Sequence, residues 1–104
     1  MTVEAAIALA ALVAAVALCI GALLAGSTQI RCVDAARETA RLAARGDTSR
    51  AIAAGKTVAP PGATVELRTE GDRVVATVAA GTPLLPGLRL RAEAVAVTEP
   101  GVNP

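Results

Sequence analysis

A chain of 104 residues with 10 Lys/Arg, 9 Asp/Glu and no histidine carries a formal charge of +1, and 54% of it is hydrophobic without a single Phe, Trp or Tyr. Lacking histidine, it cannot assemble a Ser-His-Asp or Cys-His nucleophile pair, and two cysteines alone do not make a standard zinc site. With no aromatic stacking platform and no basic excess it offers little to nucleic acid, so the expectation is one small domain that is not an enzyme and has no cofactor and no nucleic-acid partner.

The first predicted element lies in residues 1–26. "TVEAAIALAALVAAVALCIGALLAG" runs from Thr2 to Gly26 with Glu4 as its one charge, and from Ala5 to Gly26 there are 22 residues without a charge, amide or hydroxyl. At ~1.5 Å per residue this run covers roughly 33 Å, enough for a hydrocarbon core of about 30 Å. A lone segment in lipid satisfies its backbone only as a helix, so residues 1–26 are expected to be a transmembrane helix. A cleaved secretory signal is the alternative, but no Lys or Arg precedes the run and it exceeds the usual h-region of roughly 7–15 residues. Pairs of small residues four apart, such as Ala10 with Ala14 and Gly21 with Ala25, permit close helix contact in lipid, although an alanine-rich helix shows them by chance as well. "GALLAGST" (Gly21 to Thr28) imitates a phosphate loop, but it lacks the lysine and sits inside the apolar helix, so no nucleotide site is expected. Cys19 reads as a small apolar filler, and Cys32, about 20 Å further along the same helix, is out of disulfide reach of it. Cys32 is expected just outside the membrane as a free thiol, available to another chain if exported.

Residues 27–45 continue the helix in amphipathic form. Ile30, Val33, Ala36, Ala40 and Ala43 recur at helical steps, while Arg37, Arg41 and Arg45 stand beside Asp34 and Glu38 on the outer face. Gly46 has the character of a C′ residue. Residues 46–62 predict a short helix, capped by Asp47, Thr48 or Ser49 and ending near Gly55, followed by a Pro60-Pro61-Gly62 linker. Residues 63–104 read as a small antiparallel sheet domain of three strands. "TVELRT" puts Val65 and Leu67 on one side, "EGD" turns the chain into "RVVATVAA", and "GTPLLPG" forms a longer loop stiffened by Pro83 and Pro86. "LRLRAEAVAVT" then alternates, with Leu88, Leu90, Ala92 and Ala94 opposite Arg89, Arg91 and Glu93. A sheet with one apolar face needs a cover, and the amphipathic half of the helix supplies it. The expected fold class is α+β: a long N-terminal helix packed on a small three-stranded antiparallel sheet. A core this small without aromatics favours stabilisation by neighbours in an assembly.

Glu4 alone is an ordinary first-turn acid, favoured by the helix macrodipole. Its setting is less ordinary. A Glu opening an apolar helix, "TVEAAIALAALVA", followed by "RCVDAARETARLAARGD" and "PLLPGLRLRAEAVAVTEPG", resembles the TadE-like minor pilins of the tight-adherence (Flp) type IV pilus system, in the short form of high-GC actinobacteria. The resemblance covers nearly the whole chain. It implies a pilin-like assembly component with Glu4, beside Thr2 and Val3, as the assembly residue, its carboxylate meeting the N-terminal amine of a neighbouring subunit. It further implies partners among other pilin subunits, the Tad pilus assembly machinery and the lipid bilayer. A prepilin peptidase, which in that family cuts after a glycine, is a further implied partner if a leader lies upstream of Met1; the chain departs from the family pattern in having only three residues before Glu4 rather than four. Arg31, Arg37, Arg41, Arg45, Arg50 and Lys56 all follow the span, which by the positive-inside rule points the domain to the cytoplasm. A basic leader would reverse that orientation, and the resemblance implies a domain outside the cytoplasm in a single-pass membrane protein. The alternatives are a single-pass membrane protein whose outer domain binds a partner without forming a filament, and a soluble domain exported after signal cleavage.

Overall fold

A computed structural model describes residues 2–82 and 85–98 of the chain. Helix α1 (Val3–Ala44) carries the apolar run and the amphipathic stretch through 42 residues without a break. Thr2 caps its start, the hydroxyl accepting from the Ala5 N–H at 3.1 Å. At the far end Gly46 takes φ +85°, and the Gly46 and Asp47 N–H groups return to the carbonyls of Ala43 and Leu42 at 3.0 and 3.2 Å. Those two bonds make a Schellman motif, with glycine at C′ as its spacing predicts.

The second half of α1 packs and the first half does not. Thr28, Cys32, Ala35, Ala36, Thr39, Ala40, Ala43 and Ala44 are buried. This line differs from the predicted stripe: Ile30 is 63% exposed and Val33 only half-buried. Two residues are about 200° around a helix, so Ile30 and Cys32 lie on opposite sides, and the face of smaller side chains is the one that lets the sheet come close. Burial also corrects the expectation for Cys32, which has no exposed surface and cannot meet another chain while the domain is folded.

Helix α2 (Thr48–Val58) runs past Gly55, where the sequence predicted its end, and Asp47 occupies the cap position with its carboxylate paired to Arg50 at 3.3 Å and not bonded to a backbone N–H of the helix. Gly55 is buried inside α2 against α1: a Cβ there would fall on the Thr39 hydroxyl and lie 3.3 Å from Val65 Cγ1. Thr39 donates that hydroxyl to the Ala35 carbonyl at 2.7 Å, which keeps a buried polar atom satisfied. The glycine is a packing feature. After α2, Ala63 N–H bonds back to the Pro60 carbonyl at 3.1 Å with Gly62 at φ +76°, the pattern of a type II turn.

Strands β1 (Thr64–Glu70), β2 (Arg73–Thr82) and β3 (Leu85–Val97) form an antiparallel sheet in that order. Gly71, at φ +62°, opens the two-residue turn between Glu70 and Arg73, while Asp72 stays at negative φ, as in a type II′ hairpin. The inward alternation holds for Val65 and Leu67 and for Leu90, Ala92 and Ala94, but not for Leu88, which was expected on the same face and is 43% exposed because it falls in a break of the register. The predicted loop "GTPLLPG" is corrected: Gly81 and Thr82 belong to β2, and β3 begins at Leu85. The register steps from Gly81↔Arg89 to Thr82↔Leu85, so Pro86, Gly87 and Leu88 bulge from β3, with Gly87 at φ +88°. Pro83 and Leu84 of that loop, Met1 of the expected first segment and residues 99–104 of the expected sheet domain lie outside the described residues.

The core sits between α1, α2 and the sheet. One cluster joins Cys32, Ala35, Ala36, Ala59, Val78, Ala80 and Ala92, and a second joins Ala43, Ala51 and Val74. Val78, Thr39 and Cys32 are the largest fully buried side chains. The fold is thus α+β, a long helix whose second half covers one face of a three-stranded sheet.

Candidate functional site

The exposed half of α1 is the most unusual surface of the molecule. Val3 to Ile20 are exposed without exception, among them Ile7 at 63%, Val13 at 67% and Leu18 at 74%. The molecule measures 73 × 18 × 17 Å, a rod with a small domain at one end. Soluble monomers rarely expose contiguous apolar patches beyond a few hundred Å², so this surface requires another covering. α1 is long and apolar enough to cross a membrane, and none of its most apolar window is buried in the chain. The alanine, leucine and valine side chains of this stretch suit a lipid-exposed helix, and among the described residues there is a single candidate membrane span, near the N-terminus.

Thr2, Val3 and Glu4 lie together in the first turn of this rod. Thr2 faces the helix as its cap, Val3 is 75% exposed, and Glu4 is an exposed first-turn acid. The first buried residue, Thr28, stands 24 positions after Glu4, about 36 Å along the axis. Glu4 has no ion-pair partner among the described residues, and no cation of its own domain reaches it. The geometry brings the three expected residues to one place and separates them from everything else.

At the other end of the apolar run the structure brings together residues that periodicity did not single out. Arg31 donates from Nε to the Val58 carbonyl at 3.4 Å and from Nη2 to the Ala59 carbonyl at 3.1 Å. It thereby satisfies the carboxyl end of α2, where a cation is favoured by the helix dipole. Gln29 Nε2 donates to the Arg91 carbonyl of β3 at 3.1 Å. These two side chains pin both α2 and the sheet to α1 just beyond the apolar run. Their signal in the sequence is position alone: they are the first long polar residues after Gly26. Gly21 and Gly26 of the phosphate-loop lookalike sit within uninterrupted helix, where an added Cβ would meet nothing within 4 Å.

The outer face of the amphipathic half is polar. Arg41 holds Glu38 at 2.7 Å, and a groove of about 590 Å³ between α1 and α2 has Asp34, Arg37, Glu38 and Arg41 on its rim and Ala54 and Val58 in its floor. Both signs of charge alternate there. Cys32 lies in the core with Val78 and Ala92 of the sheet, its thiol pushed above the usual range by burial, with the Arg31 charge acting the other way. Among the described residues no three His, Cys, Asp or Glu side chains gather to hold a metal ion.

No protein-family model and no solved structure matches the chain. A curated protein does: the chain is 50% identical over 98 residues to apoptosis inhibitor Rv3655c of Mycobacterium tuberculosis, an alignment covering 94% of this chain and 78% of that one. Half-identity over nearly the full length carries the rod and the domain together, and the chain belongs to the family of apoptosis inhibitor Rv3655c.

Proposed function

We propose that the chain is a minor pilin-like structural or assembly component of a Flp/Tad-type pilus, anchored by α1 with its sheet domain outside the cytoplasm. The observation that carries this reading is an apolar half-helix that its own chain leaves uncovered, opened by a single carboxylate in the first turn. In low dielectric an unpaired carboxylate is expensive, and a cationic mate on a neighbouring subunit offsets that expense. The N-terminal amine of another copy is such a mate, and the pair would set the axial register between adjacent rods. The many alanines allow those rods to approach closely. Other pilin subunits, the assembly machinery and the bilayer are the partners this reading calls for.

The test separates insertion from assembly. Glu4→Ala and Glu4→Gln are expected to reach the membrane fraction at wild-type levels, because neither adds a charge to the span. Filaments, counted by electron microscopy in cells dependent on the variant, are expected to be lost in both. Wild-type filament numbers with either variant would refute the role given to Glu4.

A second reading is a single-pass membrane protein whose outer domain binds a partner without forming a filament. The identity to a protein named for inhibiting apoptosis favours it, since that name describes an effect and not a fibre. On this reading Glu4 variants keep full activity, and substitutions in the charged groove between α1 and α2 remove it.

A further inference from the structure

Where the rod enters the domain there is a cavity of about 400 Å³, walled by Leu24, Ser27, Thr28 and Arg31 of α1 and closed opposite by Pro61 and Gly81. Its height is set by the helix. From Leu24 to Arg31 is about 10 Å along the axis, and the headgroup zone on one side of a bilayer is roughly 5–8 Å deep. With Ala5 to Gly26 in hydrocarbon, the cavity lies at headgroup level, its apolar wall toward the lipid tails and its cation away from them.

The chemistry of the walls selects an anion. Arg31 is held in place by its bonds to the Val58 and Ala59 carbonyls through Nε and Nη2. A guanidinium carries five N–H donors, so the edge shared by Nη1 and Nη2 still has donors to give, and it is pre-oriented. Ser27 and Thr28 add hydroxyls from the same helix face, and among the described residues no carboxylate lines the cavity. The larger groove between α1 and α2 differs on this point, because Asp34 and Glu38 stand on its rim and would repel an anion. A forked guanidinium with nearby hydroxyls suits a phosphate oxygen pair.

We propose that this cavity takes the phosphate of an anionic phospholipid headgroup and so seats the domain against the membrane face. The proposal rests on the membrane placement of α1 and is independent of any filament. The test uses the purified full-length chain in detergent, titrated with phosphatidylglycerol, phosphatidylcholine or inorganic phosphate and read by native mass spectrometry. Saturable binding of phosphatidylglycerol is expected, weakened about tenfold by Arg31→Gln, which removes one charge-assisted bond pair. Ser27→Asp alters an exposed side chain, leaves the Arg31 bonds in place and sets a negative charge at the cavity, so the same loss is expected from it even where Arg31→Gln does not fold. Wild-type affinity in the folded variants would overturn the proposal, leaving Arg31 as a cap for α2 alone. So would equal affinity for phosphatidylcholine, or displacement of the lipid by inorganic phosphate at comparable concentration, which would make a free anion the ligand.

Discussion

Cys32 and Gly55 show how far a residue's chemistry depends on what the fold puts against it. By position in the sequence Cys32 is a juxtamembrane thiol, open to oxidation or pairing. Beneath β2 and β3 it becomes one of the largest fully buried side chains of an alanine-built core. Reactivity follows the thiolate and its access, and burial opposes both. With Cys19 replaced by alanine, Cys32 in the folded chain is expected to react with a water-soluble disulfide reagent at least about a hundredfold more slowly than in denaturant, as local opening must precede attack. Equal rates in the two conditions would show that the domain does not close over it. The first-turn features were readable because they are local: Thr2 precedes an apolar helix and caps it, and Gly46 follows the last helical turn and takes positive φ. The carbonyl partners of Arg31 were not readable, since they lie 27 and 28 positions away and depend on where α2 ends.

At the scale of elements, α1 crosses α2 where side chains are smallest. Gly55 was expected to terminate a helix, a reasonable reading of glycine in sequence, yet it lies inside α2 because Thr39 occupies the space a Cβ would need. Gly→Ala in a helix ordinarily stabilises by roughly 0.5–1 kcal/mol. Here the sign reverses: Gly55→Ala is expected to destabilise by about 1–3 kcal/mol through overpacking. Adding Thr39→Ala removes the obstructing hydroxyl, and the double variant is expected to be more stable than the sum of the two single changes by about 1 kcal/mol or more. Additive chemical-denaturation energies would mean that the helices do not meet at this point. The hairpin β1–β2 and the inward faces of β1 and β3 were legible because period-2 alternation and the Gly-Asp turn are strong local signals. The boundary of β2 with β3 was not, as prolines and glycines that read as loop instead form a bulge, which preserves pairing around an irregular register. The buried line of α1 was legible in period but not in phase, because alanine is so frequent that several faces satisfy the same spacing.

The whole molecule divides into a domain that its own chain stabilises and a rod that it does not. The domain end is tied by Gln29 and Arg31 to β3 and α2, so its orientation on α1 is determined just past Gly26. Among the described residues the rod end carries Glu4 as its one charged side chain, and its apolar surface is left uncovered by the chain. Length and composition disclosed this division, since 22 uncharged residues have few uses outside a bilayer. What no single-chain property discloses is whether Glu4 has a mate, which the pilus reading places on another molecule. The family placement accords with one architecture over the aligned length, and the pilus reading supplies a use for the rod that the domain alone lacks.

The measurement that tests this division most directly is a scan of single cysteines along α1 in native membranes, with Cys19 replaced by alanine. Ala8→Cys, Ala11→Cys, Ala15→Cys and Ala22→Cys would be compared with Ser27→Cys and Arg37→Cys for labelling by a membrane-impermeant maleimide. The first four are expected to be silent, and Ser27→Cys and Arg37→Cys to label from one side only, the side opposite the cytoplasm. Labelling at Ala11→Cys or Ala15→Cys as fast as at Arg37→Cys would place the rod in water and contradict its burial in lipid.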